Sequence, residues 1–242
     1  MNYDYKNKIT IDELRNQFDG EVERFSNEQT GQVSSVDAPL ILSIFEKSIS
    51  QMYPDAKRLL DIGCGAGNFS LRITRKLPQL KLTLLDLSCP MLQKAKERLE
   101  AENFVVEEII QADISKAELS ENKFDIVVAA ASLHHLRTKQ DWRNVFGRIY
   151  RSLISGGSFW ISDLIKHENE TIELLQKERY AEYLRDSRDP NYQQHVFENI
   201  DRSDTPETLS FLINVLESSG FRQIDIIHKN MVFAAITAVK PS

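Results

Sequence analysis

One run, Leu59-Leu60-Asp61-Ile62-Gly63-Cys64-Gly65-Ala66-Gly67-Asn68, restricts the fold of this chain more than any other stretch. Leu59, Leu60 and Ile62 suit a buried strand. The three alternate glycines suit a turn whose backbone presses against a ligand, and Asn68 opens a segment with helical spacing. Strand, glycine turn and helix in that order read as a nucleotide-type cofactor site at a strand's carboxyl end. Asp86 closes the next apolar run about 20 positions on, where an acid can accept ribose hydroxyls.

From there the pattern alternates. A helix is expected over 68–76, a strand over 81–86, a helix over 90–101 and strands over 104–111 and 124–130. Trp142, Val145, Phe146, Ile149 and Leu153 then form a helical core stripe, with Gly156 and Gly157 read as its left-handed stop before a strand over 158–163. This rhythm predicts a parallel sheet. Asp204 or Thr205 is placed to cap a later helix with Pro206 in its first turn and Gly220 at its end. The β-rich runs 222–228 and 231–239 lie too close for a crossover, so they must pair antiparallel. Upstream, Thr10 and Glu13 have capping-box spacing ahead of the stripe Leu14, Phe18, Val22 and Phe25, and a second helix is expected over 36–52.

The expected fold class is α/β, a three-layer Rossmann-like fold whose mostly parallel sheet has one antiparallel strand. The stretch 164–203 breaks the alternation: it is highly charged, carries Tyr180, Tyr183, Tyr192 and Phe197, and stands where strand five should lead straight into its helix. The division expected is an N-terminal helical segment over 1–35, a cofactor core over 36–163, an inserted cap over 164–205 and a closing helix and hairpin over 206–242. Ligands of open α/β sheets bind beyond the strand ends, so such a cap would roof the pocket.

Composition narrows the partners. At 242 residues and 41% apolar content the chain can bury one core unaided. No run approaches the roughly 20 apolar residues of a membrane span, and Met1-Asn2-Tyr3-Asp4-Tyr5-Lys6 lacks the regions of a secretion signal. A cytoplasmic protein without a membrane partner is expected. Cys64 and Cys89 offer neither a disulfide framework nor repeated ligand spacing, so no metal site is expected. The net charge of −6, with no basic block, makes nucleic acid a poor partner. Lys94, Lys96 and Arg98 are interleaved with or followed by Glu97, Glu100 and Glu102 and read as a solvated helix face.

Four ordered elements carry a family resemblance: Asp61-Ile62-Gly63-Cys64-Gly65-Ala66-Gly67; Asp86; Asp113 after Ile109-Ile110-Gln111-Ala112; and Phe124 through Ala130 to Ser132-Leu133-His134-His135-Leu136. With the closing Ser219-Gly220-Phe221 and hairpin, the chain resembles the class I S-adenosylmethionine (SAM) dependent methyltransferases. The resemblance implies SAM as cofactor, S-adenosylhomocysteine (SAH) as product and a small molecule as methyl acceptor. It implies that backbone amides at Gly63 and Gly65 meet the methionine carboxylate, with Cys64 and Gly67 in the same turn. Asp61 is implied to bind the amino group, Asp86 the ribose hydroxyls, Leu87 and Met91 the nucleoside, Asp113 and Ile114 the adenine, and Ala130 the methionine side. Asp86 also has a plain use as a helix cap, and Met91 as core filler.

Methyl transfer from a sulfonium is an in-line displacement that gains from alignment and exclusion of water. A hydroxyl or protonated amine acceptor also needs a base. Asp163, His134 and His135 are the catalytic candidates, with Tyr180, Tyr183 and His195 as substrate contacts; a packed ring at a turn is the structural use of His134 and His135. Phe18-Asp19, the insertion and the 198–208 segment also look like carboxy-SAM synthases. By resemblance, those enzymes hold an added carboxylate with an arginine and an asparagine, where this chain has Gln194 and Ala130. Loss of that charge ranks ordinary methyl transfer first. The other readings are a dehydrogenase, disfavoured by the G-x-G-x-G spacing, and a non-catalytic SAM-binding partner protein.

Overall fold

A computed structural model describes residue 3 and residues 5–27 and 33–242. Seven strands form one sheet: β1 (Arg58–Ile62), β2 (Lys81–Asp86), β3 (Val105–Gln111), β4 (Phe124–Ala130), β5 (Leu153–Leu164), β6 (Arg222–Asn230) and β7 (Phe233–Val239), in the order β3-β2-β1-β4-β5-β7-β6. The first five run parallel, and β7 lies antiparallel to both β5 and β6, as the short last connection requires.

Side chains of the central strands alternate between two cores. Leu60, Ile62, Val127 and Ala129 pack with the stripes of α6 (Lys139–Ser152) and α9 (Leu209–Ser219). Leu59, Ile126 and Val128 pack with α3 (Ala38–Met52), α4 (Asn68–Thr74) and α5 (Cys89–Ala101). The result is the expected three-layer Rossmann-like α/β fold. The chain builds outward from β1 to β3 and then returns to the other side of β1 as β4, so the switch point lies between β1 and β4. A crevice opens there beyond the strand ends.

Three local expectations change. Thr10 caps α1 (Ile11–Asp19) with a complete capping box, but the stripe through Phe25 does not continue as one helix. It breaks at Gly20 and resumes as α2 (Val22–Ser26), which turns Phe18 and Phe25 toward each other at 6.2 Å between ring centres. The helix with Trp142 ends at Ser152, not at the glycines, because Leu153 pairs with Phe124 as the first residue of β5. Gly156, at φ 77°, instead serves a bulge in which the register passes from Phe124–Leu153 to Ile126–Ser158. The last helix starts at Leu209 with Thr208 as its cap.

Asp204 and Thr205 are drawn away from α9 for another purpose. The Thr205 N–H donates to His134 O at 2.7 Å, and its hydroxyl donates to the carbonyls of His134 and Leu136. The segment thus becomes a buried strap across the turn after β4. Between β5 and this strap stand α7 (Glu170–Ser187) and α8 (Pro190–Ser203). Tyr180, Leu184, Val196 and Ile200 from these helices close a third apolar cluster with Val36, Leu164 and Phe233. Among the described residues no helix is long and apolar enough to cross a membrane.

Thr205→Val keeps the volume but leaves a buried carbonyl without its donor. It is expected to lower stability by about 1–3 kcal/mol in urea unfolding. An unchanged midpoint would remove the strap from the account.

Candidate active site

The glycine turn is shaped by two neighbours. The N–H groups of Gly63 and Cys64 donate to Leu85 O at 2.7 and 3.1 Å, which ties the turn to β2. Gly63 sits at φ 65°, and a Cβ there would fall 2.3 Å from the Ser132 Cβ, so no side chain fits between β1 and the loop after β4. Gly65, at φ 50°, has nothing within 4 Å of the Cβ position. Its bare backbone faces open space on the cavity side, a cradle that a ligand can fill. The Gly65 N–H donates to Asp86 Oδ2 at 2.8 Å and the Ser88 N–H to Asp86 Oδ1 at 2.8 Å. One carboxylate therefore joins the turn after β1 to the turn after β2, while Ser88 rather than Asp86 caps α5.

Both acids of this end are buried. Burial pushes the Asp61 carboxyl up to about 6, against a 2.6 Å hydrogen bond from the Ser70 hydroxyl. Burial also raises Asp86, which the N–H groups of Ser88 and Gly65 partly oppose. Two carboxylates held under a desolvation penalty suit a cationic ligand with hydroxyl groups.

A cavity of about 240 Å³ starts at this turn and runs beneath the N-terminal helices to the strap. Asp61, Gly63, Cys64, Gly65, Asp86 and Leu87 line one end, with Met91, Asp113, Ile114 and Ala130 along the sides. Gly67 is not on this wall; at φ 83° it starts α4 and packs on Ala95. Asp113 accepts from the Ser115 N–H at 2.8 Å and the Ser115 hydroxyl at 2.7 Å, which fixes its carboxylate at the rim.

The far end gathers His134, His135 and Asp204 on the wall. Asp163 stands behind them: it is buried, accepts from Leu133 N–H at 2.8 Å and Leu164 N–H at 2.7 Å, and is hydrogen-bonded to His134 Nδ1. Burial opposes charge on His134, yet the carboxylates of Asp163 and Asp204 outweigh it and raise its pKa to about 9. Burial, with His134 beside it, lowers His135. Burial disfavours the Asp204 anion too, but the two imidazoles hold its pKa below the usual carboxylate range.

The cap residues divide. Tyr180 lines the cavity and donates its hydroxyl to Ser34 O at 2.7 Å. Tyr183 is absent from the wall and donates to Val33 O at 3.0 Å. His195 is exposed on α8 and hydrogen-bonded to the Asn199 amide at 3.0 Å. It is not on the cavity wall, although Asn199, one turn along the same face of the helix, is. Phe18, Phe25, Asn199 and Asp204 are wall residues that sequence reasoning did not assign to the site. The two phenylalanines had the spacing of ordinary core, and Asp204 had the look of a cap. The N-terminal helices are fastened over the turn by Ser88 donating to Asp19 at 2.6 Å and Asn68 donating to Phe25 O at 3.0 Å.

Comparison with known proteins agrees with this geometry. Residues 59–157 match a family model described as a methyltransferase domain. A carboxy-S-adenosyl-L-methionine synthase of Helicobacter pylori is 30% identical over 194 residues, 77% of this chain and 77% of the relative. A malonyl-[acyl-carrier protein] O-methyltransferase of Ilyobacter polytropus is 31% identical over 124 residues, 50% of this chain and 41% of the relative. Among solved structures, a phosphoethanolamine N-methyltransferase of Haemonchus contortus in complex with SAM shares the fold at a TM-score of 0.65 and 18% identity, covering 98% of this chain and 61% of that one. The chain belongs to the class I SAM-dependent methyltransferases, enzymes whose methyl donor is SAM.

The two turn glycines are expected to separate stability from binding. Gly63→Ala meets Ser132 directly and should cost about 1–3 kcal/mol in denaturant unfolding. Gly65→Ala carries only the left-handed backbone penalty of about 1–2 kcal/mol, yet its methyl enters the cradle and should weaken SAH binding in calorimetry. Equal SAH affinity in Gly65→Ala and the parent would contradict the cradle.

Proposed function

We propose that this chain transfers a methyl group from SAM to a small organic acceptor, neutral or cationic, seated between α1–α2 and α7–α8. The observation that carries this reading is one continuous cavity joining the glycine turn to His134 and His135. Bound SAM supplies an electrophilic methyl group on a sulfonium, and the C–S electron pair stays on sulfur as SAH forms. Asp61 pairs with the amino group of the methionine portion. Asp86 keeps lone pairs for ribose hydroxyls after accepting two backbone N–H groups. Leu87, Met91 and Ile114 offer apolar contacts and Asp113 a polar edge for the base, while Ala130 leaves room beside the methionine portion.

The chain's own part in the reaction is placement and shielding. Phe18, Phe25, Val196, Ile200 and Phe233 are apolar wall residues that exclude water around the acceptor. Asp163 orients His134, and with His135 they address the acceptor's heteroatom. Tyr180 closes the roof, the role we assign to the inserted 164–205 segment. A cytoplasmic setting is in keeping with Cys64 and Cys89, which are both free thiols.

The breadth of the likeness to carboxy-SAM synthases favours a second reading, in which SAM itself is modified. The wall speaks against it. Gln194 is exposed and bonded to Glu198 at 2.8 Å, Ala130 is apolar, and Arg24, the one lysine or arginine among the described wall residues, is ion-paired with Glu21 at 2.8 Å. The cationic groups on this wall are already paired, Arg24 with Glu21 although its Nε lacks a hydrogen-bond partner, and His134 with Asp163, so an added carboxylate would have to compete for them. Mass spectrometry of reactions containing SAM and pools of small acceptors separates the two. Acceptor-dependent SAH is expected; a SAM derivative heavier by a carboxyl group, without such SAH, would favour the second reading.

Asp61 generates a pH dependence. Its free carboxyl titrates at about 6, and only the ionised form pairs with an ammonium group. Proton binding to Asp61 therefore competes with SAM. Affinity should fall as pH drops from 7 through about 6, approaching tenfold per unit below it. Calorimetry between pH 5 and 8 measures this, and a flat profile would take Asp61 out of the amino-group site.

A further inference from the structure

The acceptor end contains a set of donor atoms beyond what exclusion of water requires. His134 Nε2 stands 3.7 Å from Asp204 Oδ2, and His135 Nδ1 stands 3.3 Å from Asp204 Oδ1. The three groups present ligand-type atoms within 4.8 Å of one another. Successive residues of a strand would point to opposite faces. The tight helical turn Leu133–His135 instead swings both imidazoles to one side, with ring centres 4.2 Å apart. The strap delivers Asp204 to them from beyond α8, fixed by the Thr205 bonds to the His134 and Leu136 carbonyls.

We propose that His134, His135 and Asp204 bind a divalent first-row transition-metal ion, zinc or one of similar preference, which holds the heteroatom of the acceptor. The role of the ion rests on the methyl-transfer reading; its binding does not. Two imidazoles and a carboxylate form a donor set for such ions. Zinc at 2.0–2.1 Å from each ligand sets tetrahedral ligands roughly 3.3 Å apart; the two measured distances run to different oxygens of Asp204, so the side chains would draw in from their present spread of up to 4.8 Å to close on one ion. Asp163 supplies the independent support. It is 1% exposed and engages His134 Nδ1 from behind, which turns Nε2 toward Asp204, where a bound ion would take the place of the Nε2 proton. A carboxylate behind a ligating histidine fixes tautomer and ring orientation in this way.

Charge and access also fit. Asp163 and Asp204 face the pair from β5 and the strap. Arg137 is nearby, but its guanidinium is turned onto the carbonyls of Ser203 and Ile9 at 2.7 and 3.1 Å. The edge of Phe18 covers His135 at 5.4 Å between ring centres. Three protein ligands with a position left toward a cavity is the form of a catalytic rather than a structural zinc site. A hydroxyl or thiol in that position would release its proton more readily and keep an oxygen or sulfur lone pair for methylation. Adjacent histidines joined by an aspartate from a distant element have no fixed spacing, which is why ligand spacing in the sequence does not show the site.

The test uses the untagged full chain, stripped with a chelator and titrated with Co²⁺, whose visible bands report coordination. One ion per chain is expected, with bands that shift on adding SAH. His135→Gln and Asp204→Asn should each weaken Co²⁺ binding more than ~10-fold, and Asp163→Asn by about 10–100-fold with altered bands although it removes no ligand. His195→Ala, outside the cavity, should bind as the parent does. SAH affinity within about 2-fold of the parent shows that each variant is folded. Absence of the bands in a parent that binds SAH, or equal Co²⁺ binding by the parent and the folded His135→Gln and Asp204→Asn variants, would overturn the metal site and leave the methyl-transfer reading standing. Failure of the parent to bind SAH would overturn that reading instead.

Discussion

The Asp86 carboxylate is the fastening on which the site depends. With one oxygen on the Gly65 N–H and the other on the Ser88 N–H, it locks together two turns that come from neighbouring parallel strands. Neither turn is shaped by its own sequence alone. The first is also pinned to Leu85 O, and the second is closed by Ser88 at the start of α5. Such a clasp holds the cradle at Gly65 open before any ligand arrives, which reduces the ordering cost of binding.

The other half of the cavity follows a similar logic at longer range. The turn after β4 carries His134 and His135, but their setting comes from Asp163 at the end of β5 and Asp204 on the strap. Asp163, His134 and Asp204 are buried and His135 partly so, and each has a second partner outside the set, such as the Leu133 N–H for Asp163 and the Ser203 hydroxyl for Asp204. The N-terminal helices complete the enclosure through Asp19 on Ser88 and the Phe25 carbonyl on Asn68. Sheet, strap and helices thus meet at one place, which is why a cavity forms at the switch point.

Local signals made most of the sheet legible. The alternation of β and α patterns, the antiparallel last pair and the Thr10 capping box all rest on short-range rules that tertiary packing did not override. The glycine turn and Asp86 were readable for the same reason. Signals failed where a residue had two uses. Gly156 has the conformation of a helix stop but serves a bulge; Asp204 and Thr205 have the chemistry of caps but are claimed by the turn after β4. His195 and Tyr183 share a charged, aromatic segment with Tyr180, and only the folded orientation of α7 and α8 separates wall from exterior. Asp204 beside the histidines is a long-range juxtaposition, which no spacing rule encodes.

Backbone amide NMR during titration with SAH tests the central claim most directly. Saturable shifts at Gly63, Gly65 and Ser88, with the amide of Gly220 at the distant end of α9 unmoved, are the predicted result. Amides of the two joined turns that stay in place while SAH is added to saturating concentration would contradict it.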